Sequence, residues 1–418
     1  SMINIRQYSD LSNEKISENK VTNKLLAFFI YASIVLPTGS IFGVNIKILS
    51  MLIFFLGLLI YKKDYVLTSV LVKMSPFIVF IILEVFYSLV FLNYDDSYLV
   101  SQSKDIFVFF LMFYVCVIYA KKICGYERLL DIIVKAAFLV GVMKIVILLY
   151  SFVSGVPVSY IIRAMGKMFG TSIMSFDVES SSISRINFTS DSILFICIFY
   201  LFMKIFRGGV RKIDYCFLFV ICFSALLTMS RFQWAACAFS SLAAMLINLK
   251  KKKSFLILCL FSIISLVSLS LPSVQEMIKT RFDERIVSSS DIERNLQRDA
   301  IYLAIEKTPI MGSGVGYYIP TMIRSTTAKY SYELQIQALV MQFGIIGTLV
   351  IMSFILIPLI DSSKRMSIIT WGSFISVIII WISGAFFNPV LFSSSAGASM
   401  AAIYGIGNIS WIKKVKRK

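Results

Sequence analysis

Long apolar segments alternate with short polar segments along almost the whole chain. Many of them approach the roughly 20 residues that a helix needs to cross the hydrocarbon core of a bilayer. This pattern predicts an all-α polytopic integral membrane protein with about twelve transmembrane helices. The predicted helices cover residues 25–43, 46–61, 74–92, 105–120, 130–153, 191–206, 214–229, 232–249, 254–271, 334–359, 367–386 and 395–412.

The composition leads to the same class of protein. Of the 418 residues, 58% are hydrophobic and 15% are charged, whereas a soluble domain usually has about 25% charged residues. This contrast excludes an ordinary cytosolic enzyme, a disordered chain and a disulfide-stabilised scaffold. The seven cysteines fall in predicted helices or in an inner loop, so we expect no disulfide.

The net charge of +18, from 41 basic and 23 acidic residues, first suggests a nucleic-acid partner. If the amino terminus lies inside, however, the pairs Lys62–Lys63 and Lys121–Lys122 and the run Lys250–Lys253 all fall on the inner side, as does the tail 413–418. This distribution follows the positive-inside rule and places both termini inside. The charge therefore predicts contact with membrane lipid and no nucleic-acid partner.

Two connections on the predicted outer side are much longer than the others. In the second, Ser273–Glu276 and Ser290–Glu293 both fit a capping box, so this loop is predicted to form a helical cap over the outer face. The predicted organisation is a cytoplasmic tail at 1–24, helices 1–5 at 25–153, an outer loop at 154–190, helices 6–9 at 191–271, an outer cap loop at 272–332, helices 10–12 at 333–412 and a basic cytoplasmic tail at 413–418.

Several kinds of chemistry are excluded by what the sequence lacks. It has no histidine, which removes Ser-His and Cys-His catalysis. The segment GSGVG at 312–316 lacks the Lys-Ser/Thr that completes a P-loop, so we interpret it as a flexible turn. The outer loops lack a DxD pair, whose carboxylates would hold the divalent metal that binds a substrate diphosphate. We therefore expect neither a metal nor a cofactor, and arginines would stabilise a leaving diphosphate instead.

Arginine suits such a role because its guanidinium group binds phosphate through two hydrogen bonds and stays charged. The arginines of the outer segments are Arg163, Arg185, Arg231, Arg281, Arg285, Arg294, Arg298 and Arg324. For most of them, particularly Arg281 and Arg285, pairing with nearby acidic residues is the better interpretation. Arg231 lies in a turn too short to offer it an acid, which makes it a functional candidate.

Three segments in the second half of the chain together resemble a known superfamily. RDAIYLAIEKTPIMGSGVGYY (298–318) has an arginine, an aromatic residue four positions on, a proline and a glycine-rich turn. YELQIQALVMQFGIIG (332–347) resembles the start of the helix that follows, and TMSR (228–231) resembles a Ser-Arg at a short outer turn. In this order, the segments resemble the superfamily of O-antigen polymerases (Wzy) and O-antigen ligases (WaaL).

The residue at the start of the tenth helix helps to choose between the two members. Ligases carry a histidine there, whereas this chain has Glu333, as in polymerases. In the first long loop, Arg185-Ile186-Asn187-Phe188 loosely resembles the family's arginine before a Gly/Phe turn, and Arg163 competes for the same role.

The resemblance implies an inverting, metal-independent polymerase of the GT-C type in the bacterial plasma (inner) membrane, with its active site facing the periplasm. It implies a glycan donor and acceptor that are both linked to undecaprenyl diphosphate, and it suggests a Wzz-like chain-length regulator and a flippase as partners. The implied catalytic residues are Glu333, as the base, and Arg298. The implied diphosphate-binding residues are Arg231, Arg185, Arg163 and Arg294.

Two alternatives remain open from the sequence. The first is an O-antigen ligase, against which the missing histidine weighs. The second is a lipid-linked oligosaccharide flippase or another transporter, because Lys144 and Glu84 are charged residues within predicted spans. The chain shows no internal repeat, which is evidence against a transporter. We interpret Lys144 and Glu84 as a structural pair or as snorkelling groups.

Overall fold

The computed structural model describes residues 2–37, 45–91, 97–169, 185–208, 210–248, 284–325, 328–410 and 412, with a few single residues between 256 and 279. Within these ranges the chain is helical, with no strand. The helices are α1 (Met2–Val35), α2 (Ile46–Ile60), α3 (Asp64–Phe91), α4 (Ser97–Tyr119), α5 (Tyr126–Ser154), α6 (Val158–Phe169), α7 (Leu194–Arg207), α8 (Lys212–Leu227), α9 (Arg231–Ile247), α10 (Glu284–Lys307), α11 (Gln335–Ser362), α12 (Ile368–Ser383) and α13 (Ser394–Asn408).

Most described helices overlap the predicted ones, but several ends differ. Helix α1 begins at Met2, within the segment predicted as a tail, and α4 begins at Ser97, eight residues earlier than predicted. The first predicted helix, 25–43, ends at Val35, because Pro37 restricts the residue before it to extended backbone. The third begins at Asp64, ten residues earlier than predicted, with an acid in its first turn and Lys73 on its exposed side. The predicted span 254–271 lies outside the described residues.

Among the residues that the structure describes, six helical segments are long and apolar enough to cross a membrane, and α2 and α9 are apolar but shorter. The six are Asp64–Phe91, Tyr98–Cys124, Tyr126–Ser154, Thr189–Arg207, Gln335–Ser362 and Ile368–Phe386. They indicate a multi-pass membrane protein. The total of twelve spans and the inner position of both termini stay predictions.

Helix α7 lies at the centre of the bundle, where it packs against α5, α8, α9 and α13. Nearly all of its side chains are buried, as expected for a helix that is apolar on every side. Helix α13, rich in glycine, alanine and serine, packs closely on α4. A Cβ atom at Gly397 would clash with the carbonyl oxygen of Phe109, so the small residue permits this approach.

The first long connection is partly helical. Within 154–190, α6 packs Val158 and Ile162 against Ile147 of α5 and against Ile186. Its Arg163 and Lys167 are exposed, so the helix is amphipathic. Helix α6 is therefore a packed part of the fold at the end of α5.

The glycine-rich turn is fixed against a break in α11. Gly344 has φ +68° and ψ −177°, which interrupts the helix. The amides of Ser313 and Gly314 donate to the carbonyls of Met341 and Gln342 at 2.7 and 2.8 Å, and the amide of Ile345 donates to Pro309 at 2.9 Å. Without this turn, the break in α11 would leave the carbonyls of Met341 and Gln342 and the amide of Ile345 unpaired, which is costly in a membrane protein. Our interpretation of GSGVG as a flexible turn is therefore corrected.

Candidate functional site

A cavity of about 560 Å³ lies where α1, α8 and α12 end and where α4, α9, α11 and α13 begin. This is the end of the bundle that the charge pattern predicts to face outward. Its polar lining includes Gln102, Asp105, Asp191, Gln233, Arg324, Gln335 and Gln342. Its size falls within the roughly 300–1,000 Å³ typical of small-molecule sites, and its amides suit a polyhydroxylated ligand.

Glu333 stands beside this cavity and is shared by two arginines. Its Oε2 atom lies 2.9 Å from Nε of Arg294, and its Oε1 atom lies 2.9 Å from a terminal nitrogen of Arg324. All three side chains are at least three-quarters buried. Arg294 also lies 3.7 Å from the exposed Asp291. Because the partners come from α10 and from the connection before α11, the cluster ties the predicted cap to the bundle.

The local sequence explains how Arg294 reaches Glu333. Ile301 and Ala304 of α10 pack against Tyr332, Leu334, Ala338 and Met341. One turn earlier, the buried Gln297 accepts a hydrogen bond from the amide of Glu333 at 3.2 Å. Arg294 is three residues before Gln297 and therefore lies on the same face of the helix.

Arg185 adds a third guanidinium group to this region. Its Nε donates to the carbonyl of Thr228 at 3.0 Å, so it is anchored on the TMSR turn. Burial lowers the pKa of Arg185, whereas the charges of Asp191 and Glu333 raise it. The structure thus brings together three of the predicted site residues, Arg185, Arg294 and Glu333, and adds Arg324, which the sequence prediction did not single out.

The other three predicted arginines do not join the cluster. Arg298 is half-exposed and pairs with its neighbour Asp299 at 3.1 Å. Arg231 is the first residue of α9, and it is not among the residues that line the cavity, although Ser230 and Phe232 are. Arg163 is exposed on α6, with its guanidinium 5.7 Å from the ring centre of Tyr160.

Lys144 pairs with Asp191, so its pairing with Glu84 is corrected. The Lys144 ammonium is fully buried and lies 2.7 Å from Oδ1 of Asp191. The other oxygen of Asp191 accepts from the amide of Phe188 at 2.7 Å. Glu84 lies against Gly347 instead, and its buried Oε2 has no hydrogen-bond partner among the described residues. The Lys144–Asp191 pair thus fixes the cavity wall.

Replacing Lys144 with methionine should destabilise the protein by about 3–5 kcal/mol, because it leaves the Asp191 carboxylate buried without a counter-charge. Adding Asp191→Asn to that variant should recover part of the loss, since the neutral amide can still accept from Phe188. Thermal unfolding of the two variants in detergent measures both effects. Equal melting temperatures for wild type and Lys144→Met would contradict the pairing.

Amide side chains connect the cavity to the glycine-rich turn. Gln342 donates to the carbonyls of Tyr317 and Tyr330 at 2.9 and 3.0 Å, and its oxygen accepts from Gln102 at 2.5 Å. Gln102 in turn accepts from the amide of Gly316 at 2.5 Å. The Tyr330 hydroxyl donates to Asp105 at 2.5 Å. The sequence prediction named none of these side chains, since no motif marks residues that meet only in the folded chain.

Comparison with known proteins gave one family match. The family model Wzy_C, described as O-antigen ligase, matches residues 216–352, about a third of the chain. This segment contains Arg294, Arg324, Glu333 and Gln342. Comparison with curated proteins found no match, and neither did comparison with solved structures. The match supports the O-antigen polymerase and ligase superfamily and a part in surface polysaccharide assembly, without distinguishing polymerase from ligase.

Proposed function

We propose that the protein polymerises oligosaccharide repeat units carried on undecaprenyl diphosphate, at the outer face of the bacterial plasma membrane. The donor is the growing chain on its lipid, and the acceptor is a single repeat unit on the same kind of lipid. An acceptor hydroxyl attacks the anomeric carbon of the donor, and undecaprenyl diphosphate leaves with inversion. The reaction needs cations for the leaving diphosphate and a base for the hydroxyl.

The shared contact of Arg294 and Arg324 with Glu333, beside the cavity, carries this proposal. This region holds four cations, Arg185, Arg294, Arg324 and Lys144, against the three carboxylates of Glu333, Asp291 and Asp191. It therefore keeps a positive charge. A diphosphate would bind the nitrogen atoms of Arg294 and Arg324 that Glu333 leaves unused, because guanidinium donors match phosphate oxygens. The apolar helices around the cavity suit a prenyl tail.

This geometry changes the role that we propose for Glu333. One of its oxygens accepts a hydrogen bond from Arg294, and the other forms an ion pair with Arg324, so both are engaged by guanidinium groups. Glu333 therefore fits a positioning residue, which holds Arg294 and Arg324 in place, better than a base. Arg298, Arg231 and Arg163 stay candidates for diphosphate contacts, of which the half-exposed Arg298 lies one helical turn from Arg294.

The second candidate function is the ligase, because the matching family is described as O-antigen ligase. A ligase would transfer the finished glycan to the lipid A core instead of to another repeat unit. The absence of histidine from this chain favours the polymerase.

Reconstitution tests the proposal. The purified protein in liposomes receives undecaprenyl-diphosphate-linked repeat units, with and without lipid A core. We expect a ladder of lengthening chains on undecaprenyl diphosphate, formed without lipid A core. Transfer of the glycan to lipid A core, with no ladder in its absence, would identify a ligase.

The reaction should also survive removal of divalent metals. Arginines stabilise the leaving diphosphate in this proposal, and the sequence offers no histidine for a metal site. Reconstituted activity should therefore be unchanged in excess EDTA, with a known magnesium-dependent glycosyltransferase as the control for chelation. A strict need for magnesium or manganese would overturn the assignment of the leaving-group charge to arginine.

A further inference from the structure

Asp105 of α4 lines the same cavity and has one oxygen that accepts no hydrogen bond from a described residue. Its Oδ2 atom accepts the hydrogen bond from the Tyr330 hydroxyl at 2.5 Å. The Lys104 ammonium is 4.0 Å from Oδ1, and the Lys104 side chain is 62% exposed. Oδ1 has no hydrogen-bond partner among the described residues, and the Asp105 side chain is 39% exposed. The carboxylate is thus held on one side and free on the other.

The two other carboxylates at the cavity differ from Asp105 in this respect. Asp191 is almost fully buried, and its oxygens are taken by the Lys144 ammonium and the Phe188 amide. Glu333 uses both oxygens for Arg294 and Arg324. Among the residues that the structure describes at this site, Asp105 is therefore the carboxylate best placed to meet a substrate hydroxyl.

The surroundings of Tyr330 fix Asp105 in this position. The carbonyl of Tyr330 accepts from Gln342 at 3.0 Å, and its ring lies 6.1 Å from that of Tyr98. Burial raises the pKa of the Tyr330 hydroxyl, and the charge of Asp105 acts in the same direction. Tyr330 therefore remains a hydrogen-bond donor, and it holds the carboxylate without competing for the substrate proton.

We propose that Asp105 is the base that accepts the proton of the acceptor hydroxyl, an inference that rests on the proposed function. As the acceptor oxygen forms its bond to the anomeric carbon, the hydroxyl proton passes to Asp105. The bond between the anomeric carbon and the diphosphate oxygen breaks, and its electron pair leaves with undecaprenyl diphosphate. Asp105 then releases the proton to water. The arginine cluster stabilises the leaving group in the same step.

The test compares Asp105→Asn with wild type in the reconstituted ladder assay. Asparagine keeps the size of the side chain and can accept from Tyr330, but it cannot take up a proton under these conditions. The rate should fall on the order of 10²–10⁴-fold. Binding of the undecaprenyl-diphosphate-linked repeat unit to the variant should remain near that of wild type. Glu84→Gln is the matched control, an acid-to-amide change outside the cavity that should leave the rate unchanged.

Three outcomes would overturn the inference. A rate for Asp105→Asn within tenfold of wild type removes Asp105 as the base and leaves the proposed function intact. A wild-type protein that forms no ladder removes both. If Asp105→Asn does not fold, Asp105→Ala with added sodium formate decides, since formate can occupy the vacated space and take the proton. Concentration-dependent recovery of the rate supports the base, and its absence refutes it.

Discussion

Arg324→Lys should reduce polymer formation on the order of 10²–10³-fold, the cost of removing one fixed donor from a transition-state charge. Arg324 lines the cavity and contacts Glu333 at 2.9 Å. Lysine keeps the positive charge but loses the planar fork that binds two phosphate oxygens at once. The measurement is the chain-length ladder at matched membrane expression. Arg294→Lys should have a similar effect, because Arg294 holds the other oxygen of the same glutamate.

Arg365→Lys is the control for this prediction. Arg365 is exposed at the opposite end of the bundle, just after α11, so the same exchange there should leave the ladder unchanged. If Arg324→Lys keeps a normal ladder while Arg298→Lys or Arg231→Lys abolishes it, the diphosphate binds at the arginines expected from the sequence motifs, and the cluster around Glu333 is structural.

Gly344→Ala should strongly destabilise the protein. A Cβ atom there would clash with the carbonyl oxygen of Ile310, and the backbone conformation is one that only glycine adopts readily. Strain and overpacking together should cost about 2–6 kcal/mol, a large part of a typical stability of roughly 5–15 kcal/mol. The change would also displace the turn that pairs with the broken end of α11. Size-exclusion profiles and thermal unfolding of the detergent-solubilised protein measure the loss.

Gly372→Ala provides the matched control. Gly372 is exposed in α12, and a Cβ atom added there would meet no other atom within 4 Å. Alanine should therefore stabilise that helix by roughly 0.5–1 kcal/mol. A Gly344→Ala protein that melts with or above wild type would contradict the account of the helix break.

The helices could be predicted from the sequence because hydrophobic periodicity is a local signal. Two helix ends were missed although proline or an acid marks them: the first predicted helix ran past Pro37, and the third was placed ten residues after its true start at Asp64. The break in α11 was not predicted, since it depends on Gly344 meeting the turn that begins at Pro309. The segments 298–318 and 332–347 resemble the superfamily in their order along the chain. The sequence did not reveal that they contact each other.

The candidate site was predicted in part for the same reason. Glu333 and Arg294 stand in or near recognisable motif segments, and the structure brings them together. Arg324 lies between motifs, and Asp105 lies more than two hundred residues from Tyr330 along the chain. Lys144 was recognised as a charge within a span, yet its partner Asp191 could not be identified, because a single sequence carries no information on long-range pairs.

Deletion of the gene in its host tests the central claim most directly. The account predicts that long chains disappear while single repeat units still reach the lipid A core, so that the ladder collapses to a band with one unit. Loss of all glycan from the lipid A core, with long chains still present on undecaprenyl diphosphate, would identify a ligase. Accumulation of single lipid-linked units on the inner face would identify a flippase, and either result would contradict polymerisation by this protein.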